Sequence, residues 1–242
     1  METAFDRIKL LIDNESFDLI RKSTVMVVGC GGVGAMCVEA LARFGVPKLI
    51  LVDHDVVNVT NINRQIHATH QTISQKKIEA LKDRVLTIQP TCEVISVDSF
   101  INDQTIEQLN KYHVDVIVDA IDTITNKLLL IKYAQENNIK IVSSMGMGNR
   151  MDPTKVTIMP LRKTTYDPLA KVMRYQCRKQ GLDDTIMVVC SLEQPIKQTV
   201  RVNQSSILKE SMPPASSSFV PMAAGLACAY QCIEMIVEKE RT

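Results

Sequence analysis

Thr24-Val25-Met26-Val27-Val28-Gly29-Cys30-Gly31-Gly32-Val33-Gly34 joins an unbroken apolar run to a cluster of glycines. A strand that is apolar at every position is one buried on both faces of a parallel sheet. Gly29, Gly31 and Gly34 satisfy G-x-G-x-x-G, and Val33 to Phe44 reads as a helix stopped by Gly45. Glycines there permit a tight turn and let backbone N–H groups approach phosphate oxygens at a helix N-terminus. Asp53, 19 residues past Gly34 at the end of the next apolar run, is placed to accept ribose hydroxyls. The motif predicts a bound nucleotide without choosing between a nicotinamide dinucleotide and ATP.

Outward from the loop, Asp13 to Ile20 has the pattern of a short amphipathic helix and Lys48 to Val52 that of a second strand. Ser74 to Thr87 reads as a helix with Ser74 as its N-cap. Glu93 to Val97, Val114 to Val118 and Lys140 to Ser143 read as further strands, with a helix over Asn126 to Asn137. This alternation over residues 24–148 predicts an α/β, Rossmann-like doubly wound sheet, mostly parallel. Beyond Asn149 the segments shorten, and Pro160, Pro168, Pro195, Pro213 and Pro214 separate them. Residues 149–242 are therefore expected as a carboxy-terminal, substrate-binding and dimer-supporting extension packed on the same sheet, making 1–242 a single domain.

At 242 residues, 45% hydrophobic and with a formal net charge of +1, the chain gives no global electrostatic reason for nucleic acid or membrane binding. Seven cysteines with no signal peptide predict a reducing, cytoplasmic setting rather than a disulfide framework. No C-x-x-C pair occurs, so no zinc site is expected. Phe219 to Val237 approaches a membrane span in length, but Gln231 and Glu234 lie within it, so a buried or dimer-facing helix is expected.

Residues after the loop favour ATP. Asp53-His54-Asp55 leads into Asn58-Val59-Thr60-Asn61-Ile62-Asn63-Arg64-Gln65, then comes Lys77, and Asp119-Ala120-Ile121-Asp122 ends a later strand. Adenylate formation needs cations on the triphosphate and a carboxylate for magnesium, because negative charge moves onto departing pyrophosphate. Hydride transfer needs neither. These stretches together resemble the ThiF/MoeB/ubiquitin-activating superfamily of adenylating enzymes. The resemblance implies that Asp53 binds the ribose and that Asn61, Arg64 and Lys77 contact phosphates. It further implies that Asp122 works with Mg2+ near the α-phosphate, with Asp55, Gln65 and the loop glycines, Gly32 included, in the same ATP site. Arg7 stands where relatives carry an arginine that reaches the partner subunit's ATP, which implies a homodimer. Asp13 and Ser74 stand where the family often has glycine.

Arg64-Gln65-Ile66-His67-Ala68 and Lys163-Thr164-Thr165-Tyr166-Asp167-Pro168-Leu169-Ala170 resemble the branch that dehydrates threonylcarbamoyladenosine in tRNA. Gly146 to Thr154 and Val189 to Pro195 fit it too. Between Arg150 and Lys179 eight basic residues face only Asp152 and Asp167, an electrostatic footprint for an RNA backbone. Arg150, Lys163, Lys171, Arg174, Arg178 and Lys179 are the candidate RNA contacts, with Lys171, Arg174 and Arg178 spaced to share a helix face. The implied reaction is adenylation of the threonyl carboxylate followed by ring closure from the carbamoyl group, which requires no enzyme nucleophile. Cys30, Cys177 and Cys190 are accordingly expected to pack, and His67 to serve either proton transfer or structure. The competing reading is adenylation of a ubiquitin-like sulfur carrier, and a sulfur-transfer protein is a possible partner. A nicotinamide-dependent oxidoreductase and a non-catalytic ATP- or RNA-binding scaffold are the remaining alternatives.

Overall fold

The computed structural model describes residues 2–198 and 214–238. Pro213 and the rest of 199–213, with 239–242, lie outside the described residues of the expected carboxy-terminal part. In chain order the elements are α1 (Asp6–Lys9), α2 (Asn14–Ile20), β1 (Thr24–Val28), α3 (Gly32–Phe44), β2 (Lys48–Val52), α4 (Lys77–Ile88) and β3 (Glu93–Val97). They continue with β4 (Val116–Asp119), α5 (Ile124–Glu136), β5 (Lys140–Ser144), β6 (Val156–Pro160), α6 (Pro168–Gln180), β7 (Met187–Ser191) and α7 (Phe219–Val237).

Among the described residues the strands form one sheet in the order β3-β2-β1-β4-β5-β7-β6. Every pairing is parallel except β6 with β7. The chain reverses its direction of travel across the sheet between β3 and β4, and the crevice beyond the carboxyl ends of β1 and β4 is where ligands bind in such sheets. β6 and β7, both from the carboxy-terminal part, extend the same sheet, and Pro160 sits on the edge strand where no ladder donor is lost.

All five residues of β1 are buried. Val25 and Val27 enter the core packed with α3, α4 and α7, while Met26 and Val28 enter the core packed with α5 and α6. That two-sided burial is the physical reason the run is apolar at every position. α7 is long and apolar enough to cross a membrane, with mean hydropathy 1.5. Its Ala224, Cys228 and Cys232 are nevertheless fully buried, and the helix packs against α3 and the sheet. It is a core helix.

Asp13 caps α2 by accepting the Ser16 N–H at 2.7 Å, as expected at the start of that helix. Ser74 does not cap α4. Its N–H bonds to Val57 O, Lys77 N–H bonds to Asp55 O, and Val56 bridges Lys76, so the chain is held extended until Lys77. Ser74 itself has φ +71, which accounts for the glycine the family often places there. The other helix and strand expectations hold to within about two residues, the usual uncertainty of element ends.

Candidate active site

The carboxyl ends of β1, β2 and β4 open into a cavity of about 640 Å³, lined by the glycine loop, Asp53, Asn61, Arg64, Lys77 and Asp122, among others. Its floor is the N-terminus of α3, capped by Gly31. Gly29 has φ +90, and a Cβ there would lie 2.7 Å from Ala120 O. A Cβ at Gly31 would meet nothing within 4 Å, so the space above the helix N-terminus is open to an anion. Gly34 departs from expectation: it does not line the cavity. A Cβ on Gly34 would lie 1.8 Å from Gly29 O, so its part is to let helix and loop pack.

Asp53 is 9% exposed and organises the loop: Oδ2 accepts the Cys30 N–H at 2.6 Å and Oδ1 the Asp55 N–H at 2.8 Å. The remaining lone pairs are free for ligand hydroxyls. Asn61 is buried, and its Oδ1 accepts the Asn58 N–H, which leaves the amide nitrogen as the donor for the cavity. Arg64 is half-buried at the rim and is held through Nη1 by Thr60 O and Asn63 Oδ1. Gln65 is buried on the cavity wall with an unpartnered Oε1. Lys77 is also buried, and its Nζ donates to Asp55 Oδ2 at 2.6 Å. Burial raises the Asp55 carboxyl, but the Lys77 ammonium outweighs it and holds the group below the usual carboxylate range.

Asp122 is exposed, lines the cavity, and accepts no capping hydrogen bond from α5, whose N-cap is Thr123. Behind it Asp119 and Lys127 are fully buried and paired at 2.8 Å. Ser143 Oγ donates to Asp119 Oδ2 at 2.5 Å, and Ile121 N–H donates to Oδ1 at 3.1 Å. This network fixes the turn that carries Asp122. Asp53, His54 and Asp55 bring ligand atoms within 4.8 Å of one another and Asp122 lines the same cavity; carboxylate oxygens are hard donors of the kind that suits Mg2+.

The opposite wall comes from the carboxy-terminal part. Asp167 is the N-cap of α6, accepting the Ala170 N–H, and lies 3.6 Å from Arg150 Nη2. Burial pushes its carboxyl up. Arg150, expected among RNA contacts, is 3% exposed. Its guanidinium is used by Asp167 and by the carbonyls of Gly146, Glu193 and Tyr166. It braces the cavity wall, a role that composition could not separate from a surface charge. Arg178 pairs with Asp184 at 2.9 Å, so part of the basic excess is neutralised locally. Lys163, Lys171 and Lys179 are exposed, and Arg174 donates to Thr164 O.

Several lining residues were not anticipated, and two of them are polar and buried. Asn126 is 7% exposed with an unpartnered Nδ2, and its place in the first turn of α5, just past Asp122, is the signal that would have located it. Ser144 at the end of β5 carries no comparable mark. Arg7 is exposed on α1 and does not line the cavity of its own chain. Cys30, Cys177 and Cys190 are fully buried, and burial raises Cys177 and Cys190 to about 11, which leaves them no part in thioester chemistry. His67 is 2% exposed, does not line the cavity, has no hydrogen-bond partner at either ring nitrogen among the described residues and is held down to about 4 by burial, which speaks against proton transfer in the cavity.

A model of the ThiF family matches residues 5–242. The chain is 42% identical over 228 residues to the tRNA threonylcarbamoyladenosine dehydratase of Bacillus subtilis, covering 92% of this chain and 90% of that protein. It is 39% identical over 178 residues to the protein of the same name from Haemophilus influenzae, covering 74% and 68%. The crystal structure of E. coli tRNA N6-threonylcarbamoyladenosine dehydratase in complex with ATP has a TM-score of 0.87 and 29% identity, covering 98% of this chain and 95% of that one.

Proposed function

The chain belongs to the ThiF family, and from that premise we propose that it is an ATP-dependent dehydratase acting on threonylcarbamoyladenosine in tRNA. One observation carries the reading: a single cavity joins an open helix N-terminus, two cations and Asp122 to a second wall built from Asp167, Pro168 and Leu169. The first half suits a triphosphate, and the second comes from the segment that resembles the tRNA-dehydrating branch.

In this reading Asp53 accepts the ribose hydroxyls and the N–H groups at the start of α3 take phosphate oxygens. Asn61, Arg64 and Lys77 neutralise charge that builds on the leaving pyrophosphate. Asp122 would hold Mg2+, which supplies further charge neutralisation on the phosphates. A threonyl carboxylate oxygen attacks the α-phosphorus and the bond to pyrophosphate breaks. The carbamoyl group then attacks the acyl carbon, AMP leaves with the former carboxylate oxygen, and the carbamoyl loses a proton. The nucleophile and the activated carbonyl share one side chain, so proximity accelerates closure without an enzyme nucleophile. A homodimer in which Arg7 reaches the partner's ATP, a cytoplasmic location and a sulfur-transfer partner complete the proposal.

Incubation with threonylcarbamoyl-modified tRNA, ATP and Mg2+, followed by nucleoside mass analysis, tests it. The expected result is loss of one water from the modified base, abolished in Arg64→Ala. Unchanged tRNA alongside adenylation of a carrier protein's carboxy terminus overturns it in favour of the sulfur-carrier reading.

A further inference from the structure

Tyr166 combines three properties that do not ordinarily meet. Its backbone has φ +57, a conformation that is an outlier for a bulky side chain. Its ring is large and apolar, yet the residue is 58% exposed. Its backbone is held on both sides. The Thr164 carbonyl accepts from Arg174 Nη1 at 2.8 Å, the buried Thr164 hydroxyl donates to Leu161 O, and the next residue, Asp167, is the buried cap of α6. The Tyr166 carbonyl itself accepts from Arg150 Nη2 at 3.3 Å, and that guanidinium is buried. A strained conformation persists only where its surroundings over-determine it, and such residues cluster at ligand sites. What the strain achieves here is to turn an aromatic ring out to solvent beside the rim, since Asp167, Pro168 and Leu169 line the nucleotide cavity.

The surroundings indicate the occupant. Ala170, Met173 and Cys177 form the buried stripe of α6. The adjoining face carries Lys171, Tyr175 and Lys179 at helical spacing, with Tyr175 63% exposed, while Arg178 beside them is paired with Asp184. Lys163 is exposed on the turn that Arg174 ties to α6. Exposed aromatic rings interleaved with cations are the chemistry of unstacked nucleobases on a phosphate backbone. A solvated salt-bridge face would carry cations without the rings. We propose that Tyr166 is a stacking platform for a nucleobase of the tRNA substrate at the mouth of the cavity, with Tyr175 extending the same surface along α6. This rests on the tRNA reading above.

Tyr166→Gly separates a binding role from a structural one, because glycine relieves the backbone strain while removing the ring. Binding of threonylcarbamoyl-modified tRNA would be measured at several salt concentrations, with steady-state KM for tRNA and for ATP. For Tyr166→Gly we expect tRNA affinity to fall about tenfold or more, the range for loss of one base–aromatic stack. KM for ATP, melting temperature and the slope of affinity against salt stay as in the native protein or, for melting temperature, rise. Tyr166→Phe keeps native affinity. Lys171→Ala instead flattens the salt slope by roughly one phosphate contact. Native tRNA affinity in Tyr166→Gly, or equal impairment in Tyr166→Phe, overturns the proposal, as does a loss of melting temperature that accounts for the weakened binding. If the native protein removes no water from modified tRNA, the underlying functional reading fails instead, which the same assay distinguishes.

Discussion

Replacing Lys127 with Met should destabilise this protein more than any other single change of equal volume on α5. The Lys127 ammonium and the Asp119 carboxylate are both wholly buried and lie 2.8 Å apart. Removing the ammonium leaves the buried carboxylate with the Ser143 hydroxyl and one backbone N–H. Breaking a buried pair from one side typically costs about 3–5 kcal/mol, because the surviving charge stays desolvated. Domain stabilities are about 5–15 kcal/mol, so the variant keeps a folded population but loses a large share of its margin. Urea unfolding followed by circular dichroism measures the loss as a shift in midpoint at constant slope. The double variant Asp119→Asn, Lys127→Met removes both charges while keeping an acceptor for the Ile121 N–H, so it should be more stable than Lys127→Met alone. A loss under about 1 kcal/mol in the single variant, or a double variant no better than the single, would refute the claim that an uncompensated carboxylate carries the cost.

The glycine loop gives a contrasting pair. Gly34→Ala places a methyl 1.8 Å from Gly29 O and should fail to fold, whereas Gly31→Ala meets nothing within 4 Å and should keep its melting temperature but lose the thermal stabilisation that ATP confers; thermal shift with and without ATP reads both. His67 is neutral and buried, held to about 4 against an ordinary value of 6.5. The unfolded chain therefore takes up a proton as pH falls below about 6.5 while the folded one does not until about 4, so stability is full above that window and declines through it, by about 2 kcal/mol at pH 5. His67→Leu should flatten the urea midpoint between pH 7.5 and pH 5 (both values lying about the ordinary histidine range). All seven cysteines are buried, so a thiol reagent should label none in the native protein and every one after denaturation.

Burial on both faces of β1 and the alternation of strands with helices were readable from periodicity, because each depends on contiguous residues. Asp53 directly follows β2 and Lys77 opens α4, so the pattern places both, whereas Arg64 lies in a loop and it and Asp122 were singled out by the family resemblance rather than by periodicity. What periodicity could not convey was partnership across the chain. Arg150 carries the same charge as Lys163, and only the meeting of Gly146, Asp167 and Glu193 around it shows that it is interior. Gly34 satisfies the same motif as Gly31, and only the 1.8 Å approach to Gly29 separates a packing glycine from a ligand-facing one. Ser74 looked like a cap because the bridge between Val56 and Lys76 joins residues 20 apart.

The Lys77–Asp55 pair in the cavity and the Asp119–Lys127 pair behind it are built to opposite specifications. Lys77 is paired with Asp55, whose side chain is 49% exposed. A pair with one partner in water is worth under about 1 kcal/mol, so a triphosphate can compete for the ammonium without a large penalty. The pairing still keeps a long side chain extended toward the cavity, which removes rotamer entropy that ligand binding would otherwise have to overcome. Arg64 is arranged in the same spirit: Nη1 is tied to Thr60 and Asn63 at the rim, leaving the rest of the fork for an incoming anion. Asp119 and Lys127 have no exchange to make. Their pair is buried on both sides, and it fixes the turn that runs from Ala120, packed against Gly29, to Asp122 on the cavity. The weak, partly exposed pair stands where the proposed triphosphate would displace it, and the buried pair stands where displacement would dismantle the turn.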